Sequence, residues 1–251
     1  MKEVTFRVFR GDKEKGELKE YKVPLSEGMV VLDAIHEIQA TEANDLAVRW
    51  NCKAGKCGSC GAEINGKPRL MCMTRMDVLP MDKPVTVEPM KRFPLVKDLV
   101  TDVSWNFEVN KRIRPLKPQP RQADGTHRMM QMDVERIQEF HKCIECFLCQ
   151  NVCHVMRDHK ITDFIGPRFL IRCATLVMHP LDTENRLREL KDDFRIGYCN
   201  ITKCCTEVCP EEIGITDNAI IPLKERVAGA FYDPLAWLWR LLTGKKADQR
   251  T

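Results

Sequence analysis

The sequence predicts an α+β protein whose first half forms a small mixed sheet and whose second half is all-helical. Residues 3–9 alternate apolar and polar side chains with period 2, and residues 18–23, after a polar turn, can form the second strand of a hairpin. Residues 115–120 contain three prolines and therefore predict a linker. Strand patterns end there and helical patterns follow, so we expect two domains in the chain of 251 residues, at 1–114 and 115–251.

Further elements of the first half follow from periodicity and from turn residues. Residues 26–39 carry apolar side chains on one face at helical spacing and predict a helix. Short strands are expected at residues 62–64, 69–73 and 85–88, and a second helix at residues 95–109. Two strands, a helix and further strands indicate a small mixed sheet that is crossed by one helix.

The second half has only helical periodicity. We predict helices at residues 133–141, 167–178, 183–191 and 216–230. Neither half has the apolar residues for a large core, so bound metal is expected to supply much of the stability of the fold.

Composition and charge argue against several classes of protein. The chain has 13 cysteines, and residues 1–10 alternate apolar and charged side chains instead of forming the apolar core of a secretory signal. A disulfide framework is therefore not expected, and a reducing compartment leaves the thiolates available for metal. The net charge of +4 is small and spread along the chain, which argues against nucleic-acid binding. No window reaches the run of about 18 uncharged apolar residues that predicts a membrane span.

The first group of cysteines has the spacing of a plant-type ferredoxin loop that holds a [2Fe–2S] cluster. Its members are Cys52, Cys57, Cys60 and Cys72. Three of them lie in one short loop with glycines, which let the backbone approach a cluster closely and direct N–H groups at the sulfurs. A zinc ion also accepts four cysteines, but zinc sites usually combine two Cys-x2-Cys pairs, and this loop has one gap of four residues and one of two.

Two further groups resemble the run of a bacterial two-cluster ferredoxin, in which the last cysteine ligates the other cluster. The predicted [4Fe–4S] ligands are Cys143, Cys146, Cys149 and Cys209. The predicted ligands of the remaining cluster are Cys153, Cys199 and Cys205. Thr202 stands where the second cysteine of that run belongs, so three thiolates predict a [3Fe–4S] cluster. Cys204 is an alternative fourth ligand with the wrong spacing, and it is assigned with Cys173 to packing.

The three groups in this order resemble the iron–sulfur subunits of succinate dehydrogenase and fumarate reductase over nearly the whole chain. The resemblance rests on the glycine-rich loop at residues 52–61, the Asn-Gly turn before Cys72 and the Phe-Ile-Gly-Pro run at residues 164–167. It also rests on the Cys-x2-Cys spacing that begins at Cys143 and on the Cys-Pro pair at residues 209–210. The order of the three clusters is specific, whereas a single motif would not be.

The resemblance implies a fold and two partner subunits. The first domain is expected to be a β-grasp [2Fe–2S] ferredoxin domain, and the second an α-helical ferredoxin domain with the [4Fe–4S] and [3Fe–4S] clusters. The implied partners are a flavoprotein, which carries FAD and the dicarboxylate site, and a membrane anchor, which meets quinone. Electrons are expected to pass from flavin through the three clusters, in that order, to quinone, or in reverse. The chain would serve this enzyme at the cytoplasmic face of the cell membrane, without a dicarboxylate active site of its own.

The residues near the quinone follow from the same resemblance. Ubiquinone-reducing members typically carry a proline and tryptophans after the position of Cys153, and a histidine after the position of Cys199. This sequence has His154 and Asn200 directly after those cysteines, which favours the menaquinone-linked branch. His154 and Arg157 could donate hydrogen bonds to a quinone carbonyl, or they could be interface or solvated residues.

An apolar segment at residues 235–242 comes near the end of the sequence and is too short to span a bilayer. Trp237 and Trp239 suit an interfacial segment that faces the anchor near the quinone. A terminal helix that packs on its own domain is the alternative interpretation.

Two other functions are compatible with part of this pattern. A stand-alone polyferredoxin would carry electrons between several soluble partners, but it leaves the apolar segment unexplained. The iron–sulfur subunit of a thiol:fumarate reductase is built from similar modules, but such subunits usually have a further cysteine-rich domain, and no cysteine follows Cys209 here. The pattern as a whole therefore favours the subunit of a quinone-linked complex.

Overall fold

The computed structural model describes residues 3–243, without the side chains of residues 235–237, 239 and 240. The chain forms two compact units that interleave along the sequence. The described part of the first unit comprises residues 3–106, 144–152 and 208–210. The described part of the second comprises residues 107–143, 153–207 and 211–243. The expected division into domains at 1–114 and 115–251 remains a prediction.

The first unit is built around a five-stranded sheet with strand order β2-β1-β5-β3-β4. The strands are β1 (Glu3–Gly11), β2 (Gly16–Pro24), β3 (Gly61–Ile64), β4 (Lys67–Leu70) and β5 (Val85–Glu88). The pair β1–β5 is parallel, and the pairs β1–β2, β3–β4 and β3–β5 are antiparallel. The predicted hairpin and the predicted mixed sheet are confirmed. The strand expected at residues 69–73 is shifted, because the chain turns away from the sheet after Leu70.

One helix, α1 (Val31–Thr41), supplies an apolar face to the core of this unit. Its side chains Val31, Leu32, Ala34, Ile35 and Ile38 are buried. The helix begins five residues later than the sequence predicts. Gly28 has a φ of +73°, and Val30 pairs with Arg75 as an isolated β-bridge, so the residues before the helix form a turn and an extended segment.

The expectation of one helix at residues 95–109 is wrong in its first part. The chain forms two short strands, β6 (Leu95–Lys97) and β7 (Val100–Thr101), before helix α2 (Ser104–Arg112) begins. Asp98 explains the turn between the strands, because its φ is +49° and its buried carboxylate accepts the N–H groups of Gly11 and Ala47 at 2.8 and 2.9 Å. Local periodicity does not reveal partners that are so distant in sequence.

The second unit is helical, as predicted. Its helices are α3 (Gln131–Gln138), α5 (His154–Arg157), α6 (Pro167–Val177), α7 (Leu187–Asp192), α8 (Cys204–Glu207), α9 (Ile221–Phe231) and α10 (Pro234–Thr243). Helix α4 (Leu148–Val152) belongs to the first unit. A π-helical segment, Ile215–Ile220, precedes α9. The helix expected at residues 216–230 is therefore π-helical in its first part and α-helical in its second.

The proline-rich segment at residues 115–120, which the sequence indicates as a linker, forms hydrogen bonds with other residues of the second unit. The guanidinium of Arg186 donates to the main-chain oxygens of Arg114 and Pro115, each at 2.8 Å. The N–H of Gln119 donates to the oxygen of Leu181 at 2.9 Å. Prolines prevent regular structure here, but these hydrogen bonds give the segment one fixed path.

Candidate iron–sulfur centres

Three members of the first cysteine group lie in a tight loop before β3 that directs main-chain N–H groups at sulfur, and the fourth, Cys72, follows β4. The N–H groups of Ala54 and Lys56 lie 3.4 and 3.3 Å from Sγ of Cys52. Gly55 and Gly58 have φ values of +68° and +67°, which glycine adopts without a steric penalty. The N–H groups around the sulfur suit a thiolate ligand, because such hydrogen bonds stabilise the negative charge of the cluster and its sulfurs.

The four thiols of this group lie near one another. Burial raises the pKa of Cys60 to about 12, and its thiol also interacts with those of Cys72 and Cys57. Burial acts to raise the pKa of Cys57 as well, but hydrogen bonds from Ser59 and Cys52 outweigh it and lower that pKa to about 6. Binding of iron by Cys60 must therefore displace the proton of its buried thiol.

The donor set of this group fits an iron–sulfur cluster. All four side chains are free cysteines, which are the ligands that [2Fe–2S] clusters use. Within residues 3–243, no three histidine, cysteine, aspartate or glutamate side chains converge in the way that a single metal ion would need.

The second group is divided between the two units. Cys146, Cys149 and Cys209 belong to the first unit, whereas Cys143 ends the segment of the second unit that precedes α4. Positive φ values of +55° and +60° at Glu145 and Phe147 bend the backbone on either side of Cys146. These two residues therefore set the path of the backbone through this part of the second group.

A buried polar network supports this second loop. The amide of Asn151 in α4 donates to Oε1 of Glu63 at 3.0 Å, and its Oδ1 accepts the N–H of Arg92 at 2.9 Å. Glu63 lies in β3 and is fully buried, and Lys91 lies 3.4 Å from its other carboxylate oxygen. Sequence reasoning missed these residues, because a glutamate in a short strand is normally on the exposed face.

The three predicted ligands of the third group lie together in the second unit. Burial raises the pKa of Cys153 to about 12 and that of Cys205 to about 11, and it also raises the pKa of Cys199. In each case the neighbouring thiol of Cys204 adds to the increase. Oγ1 of Thr202 lies 3.4 Å from Sγ of Cys204. The alternative fourth ligand is thus close in space to the predicted three.

Thr216 is a further residue at this group that the sequence did not indicate. Its hydroxyl oxygen lies 3.4 Å from Sγ of Cys205. The two residues are eleven positions apart and meet because the π-helical segment folds against α8. A single threonine carries no signal for such a role in the sequence.

Two of the residues predicted near a quinone are brought together. The amide Nδ2 of Asn200 donates to Nε2 of His154 at 2.6 Å, so the first residues after Cys153 and Cys199 are neighbours. Arg157 faces Asp158 at 3.9 Å. A role for these three side chains at a quinone remains a prediction.

The apolar segment forms α10, in which Leu238, Leu241 and Leu242 are exposed. The side chains of Trp237 and Trp239 lie outside the described residues, so the prediction about them stays open. No helix within residues 3–243 combines the length and the apolar character that crossing a membrane demands.

Two family models match the chain. A 2Fe-2S iron–sulfur cluster binding domain matches residues 5–108, and a 4Fe-4S dicluster domain matches residues 139–213. These matches cover the sheet-based part with the first cysteine group and the part with all members of the other two groups.

Individual proteins with similar sequences and structures were also found. A chain of the Mycobacterium smegmatis Sdh1 complex in the apo form is 61% identical, with a TM-score of 0.90, and the match covers 93% of this chain and 98% of that one. The fumarate reductase iron–sulfur subunit of Mycobacterium tuberculosis is 38% identical, over 77% of this chain and 79% of its own length. An uncharacterized iron–sulfur protein of Methanococcus maripaludis is 30% identical over 83% of this chain, but the match spans only 41% of that longer protein.

Proposed function

Because the chain belongs to the family of iron–sulfur subunits of succinate dehydrogenase and fumarate reductase, we propose that it relays electrons between a flavoprotein and membrane quinone. The flavoprotein would carry FAD and the site at which succinate and fumarate interconvert. A membrane anchor would hold the chain at the cytoplasmic face of the cell membrane. The observation that carries this proposal is the ordered set of three cysteine groups, of which the first and third each gather in one compact unit.

The proposal assigns a β-grasp fold to the first domain and a cluster to each group. Cys52, Cys57, Cys60 and Cys72 would hold [2Fe–2S]; Cys143, Cys146, Cys149 and Cys209 would hold [4Fe–4S]; Cys153, Cys199 and Cys205 would hold [3Fe–4S]. A flavin exchanges two electrons with a dicarboxylate. Iron–sulfur clusters would transfer these electrons to or from the flavin one at a time. The chain's own part is to direct N–H groups at the sulfurs, as Ala54 and Lys56 do at Cys52, and to bury some of them, as it does those of Cys60 and Cys205.

The residues after Cys153 and Cys199 are proposed to face the quinone. His154 and Asn200 form a hydrogen-bonded pair there, and the absence of the ubiquinone-type residues from these positions supports menaquinone. His154 and Arg157 would position a quinone carbonyl by donating hydrogen bonds to it. Trp237 and Trp239 of α10 would face the anchor.

Purification of the native complex from membranes tests the proposal. We expect an FAD-bearing subunit and an anchor subunit to accompany the chain, and menaquinone to be the quinone that is extracted with them. Comparing the rates of succinate oxidation and fumarate reduction in the same preparation tests which direction of the reaction the complex favours. Purification of the chain alone with all clusters intact would favour the stand-alone polyferredoxin instead.

A further inference from the structure

A chain of three hydrogen bonds ends at the sulfur of Cys205. The N–H of Thr216 donates to Oγ1 of Thr206 at 3.0 Å, and the hydroxyl of Thr206 donates to Oγ1 of Thr216 at 3.1 Å. Oγ1 of Thr216 in turn lies 3.4 Å from Sγ of Cys205. A thiolate that ligates iron has no hydrogen of its own, so in the hydrogen bond between these two atoms only the hydroxyl can be the donor. Thr216 accepts from Thr206, and its own hydrogen is left for the sulfur.

The surroundings make this hydrogen bond difficult to replace. Thr216 is 1% exposed and Cys205 is 7% exposed, so water has little access to either side chain. Thr216 lies in the π-helical segment Ile215–Ile220, a geometry that is rare and is frequently found at functional sites. Burial in this segment therefore fixes the position of the hydroxyl, and the hydrogen bonds with Thr206 orient it.

We propose that Thr216, oriented by Thr206, donates a hydrogen bond to the Cys205 thiolate and thereby raises the reduction potential of the cluster that Cys205 holds. This inference rests on the proposed function, since it needs a cluster at Cys205. Reduction by one electron adds negative charge, which spreads onto the thiolate ligands. A hydrogen bond to a charged sulfur is stronger than one to a neutral partner, so it stabilises the reduced state more than the oxidised state.

Redox titration of the purified complex, followed by electron paramagnetic resonance, tests this proposal. Thr216→Val keeps the shape of the side chain and removes the hydroxyl, so the midpoint potential of the third cluster should fall. Thr216→Ser restores the hydroxyl and should return the potential to that of the unmodified complex. If valine is not tolerated in this buried position, Thr216→Ala removes the same hydroxyl without added bulk and should shift the potential in the same direction.

Two matched variants separate the hydrogen bond from packing. Thr175→Val also replaces a threonine by valine, but the hydroxyl that it removes donates to the main-chain oxygen of Ile171 at 3.1 Å and not to a cysteine. This variant should leave the midpoint potential of the third cluster unchanged. Thr206→Val removes only the orienting hydroxyl, so it should lower the potential by less than Thr216→Val does.

The outcomes distinguish this inference from the function on which it rests. An unchanged potential in Thr216→Val, or an equal fall in Thr216→Ser, overturns the inference while the three-cluster spectrum and the partner subunits remain. Absence of a third cluster from the unmodified complex overturns the cluster assignment and the inference with it.

Discussion

Gly58 lies directly against the backbone of Cys146. A β-carbon on Gly58 would lie 2.6 Å from Cα of Cys146 and 2.9 Å from its nitrogen, which is closer than non-bonded atoms can approach. Gly58 follows Cys57 in the first cysteine loop, and Cys146 belongs to the second group. The absence of a side chain at Gly58 therefore determines how closely the two predicted cluster loops approach each other.

We predict that Gly58→Ala weakens the magnetic interaction between the first two clusters. The neighbouring atoms of Cys146 include main-chain atoms, which cannot rotate aside, so the added methyl group must push the two loops apart. The measurement is the relaxation rate of the reduced [2Fe–2S] signal in the presence of the reduced second cluster. The turnover of the complex should fall in parallel.

Two other glycines provide controls for the backbone conformation. Gly66 has a φ of +74° and open space around it, so Gly66→Ala carries a similar conformational penalty of about 1 kcal/mol without the contact. At Gly55 the new methyl group would meet the flexible side chain of Met73, with Sδ at 2.8 Å, which can move. A loss of magnetic interaction in Gly66→Ala as large as that in Gly58→Ala would contradict the explanation.

Thr202 is predicted to determine the type of the third cluster. Thr202→Cys supplies the thiolate that is missing from the second position of the ferredoxin run, so the iron content should rise from about nine to about ten per chain. The paramagnetic signal of an oxidised [3Fe–4S] cluster should disappear at the same time. Potentials are also expected to change, because the nuclearity and charge of the cluster change.

Cys204 supplies the control for this prediction. Its thiol lies near the same three ligands, and Cys204→Ser should leave the iron content and the signal of the unmodified protein intact. If the unmodified chain already binds about ten irons, and Cys204→Ser removes one, then Cys204 is a ligand and the [3Fe–4S] assignment is wrong.

The buried pair of Asp182 and Arg186 is predicted to stabilise the second unit. Both side chains are almost fully buried, with Nε of Arg186 2.7 Å from the carboxylate, and Asp182 also accepts the N–H of Lys117 at 3.1 Å. Asp182→Asn removes the negative charge that lies 2.7 Å from the buried guanidinium and should cost about 3 kcal/mol. Faster hydrogen exchange at the amides of Lys117 and Gln119 would report the loss locally. Asp192→Asn, which removes an exposed partner of Arg188, should cost less than about 1 kcal/mol.

This pair also predicts a pH dependence. Burial acts to raise the pKa of Asp182, but hydrogen bonds from Arg186 and Lys117 outweigh it and hold the pKa below its usual value. Because the folded-state pKa is the lower one, the stabilisation is fully present above about pH 4 and is lost as the pH falls through the folded-state value. The same pH scan on Asp182→Asn should therefore show a smaller loss of stability on acidification.

The exposed leucines of α10 are predicted to hold the chain on its anchor. Leu241 and Leu242 are 67% and 76% exposed in the isolated chain, and replacing both by glutamate places charges on this face of α10. The double variant should move the chain from the membrane fraction to the soluble fraction. Iron content should stay unchanged, since α10 carries none of the predicted ligands. Leu18→Glu, at an exposed leucine of β2, is the matched control and should leave the distribution unaltered. Membrane association that persists in the double variant would count against a docking role for α10.

The sequence alone determined the class of fold, the hairpin, most of the helices and the grouping of the cysteines. These properties depend on local spacing: period 2 places the apolar side chains of residues 3–9 on one face, and the gaps between Cys52, Cys57 and Cys60 limit the loop to the size of a cluster. The family resemblance also followed from short runs of residues, such as the Cys-Pro pair at residues 209–210.

Only the tertiary structure decided which distant residues meet. The turn at Asp98 depends on amides at Gly11 and Ala47, and the contact of Gly58 with Cys146 joins residues 88 positions apart. The hydroxyl of Thr216 reaches Cys205 because a π-helical segment packs on α8. The sequence around each of these residues does not indicate its partner, because hydrogen bonds and close packing depend on distance in space, which local periodicity does not encode.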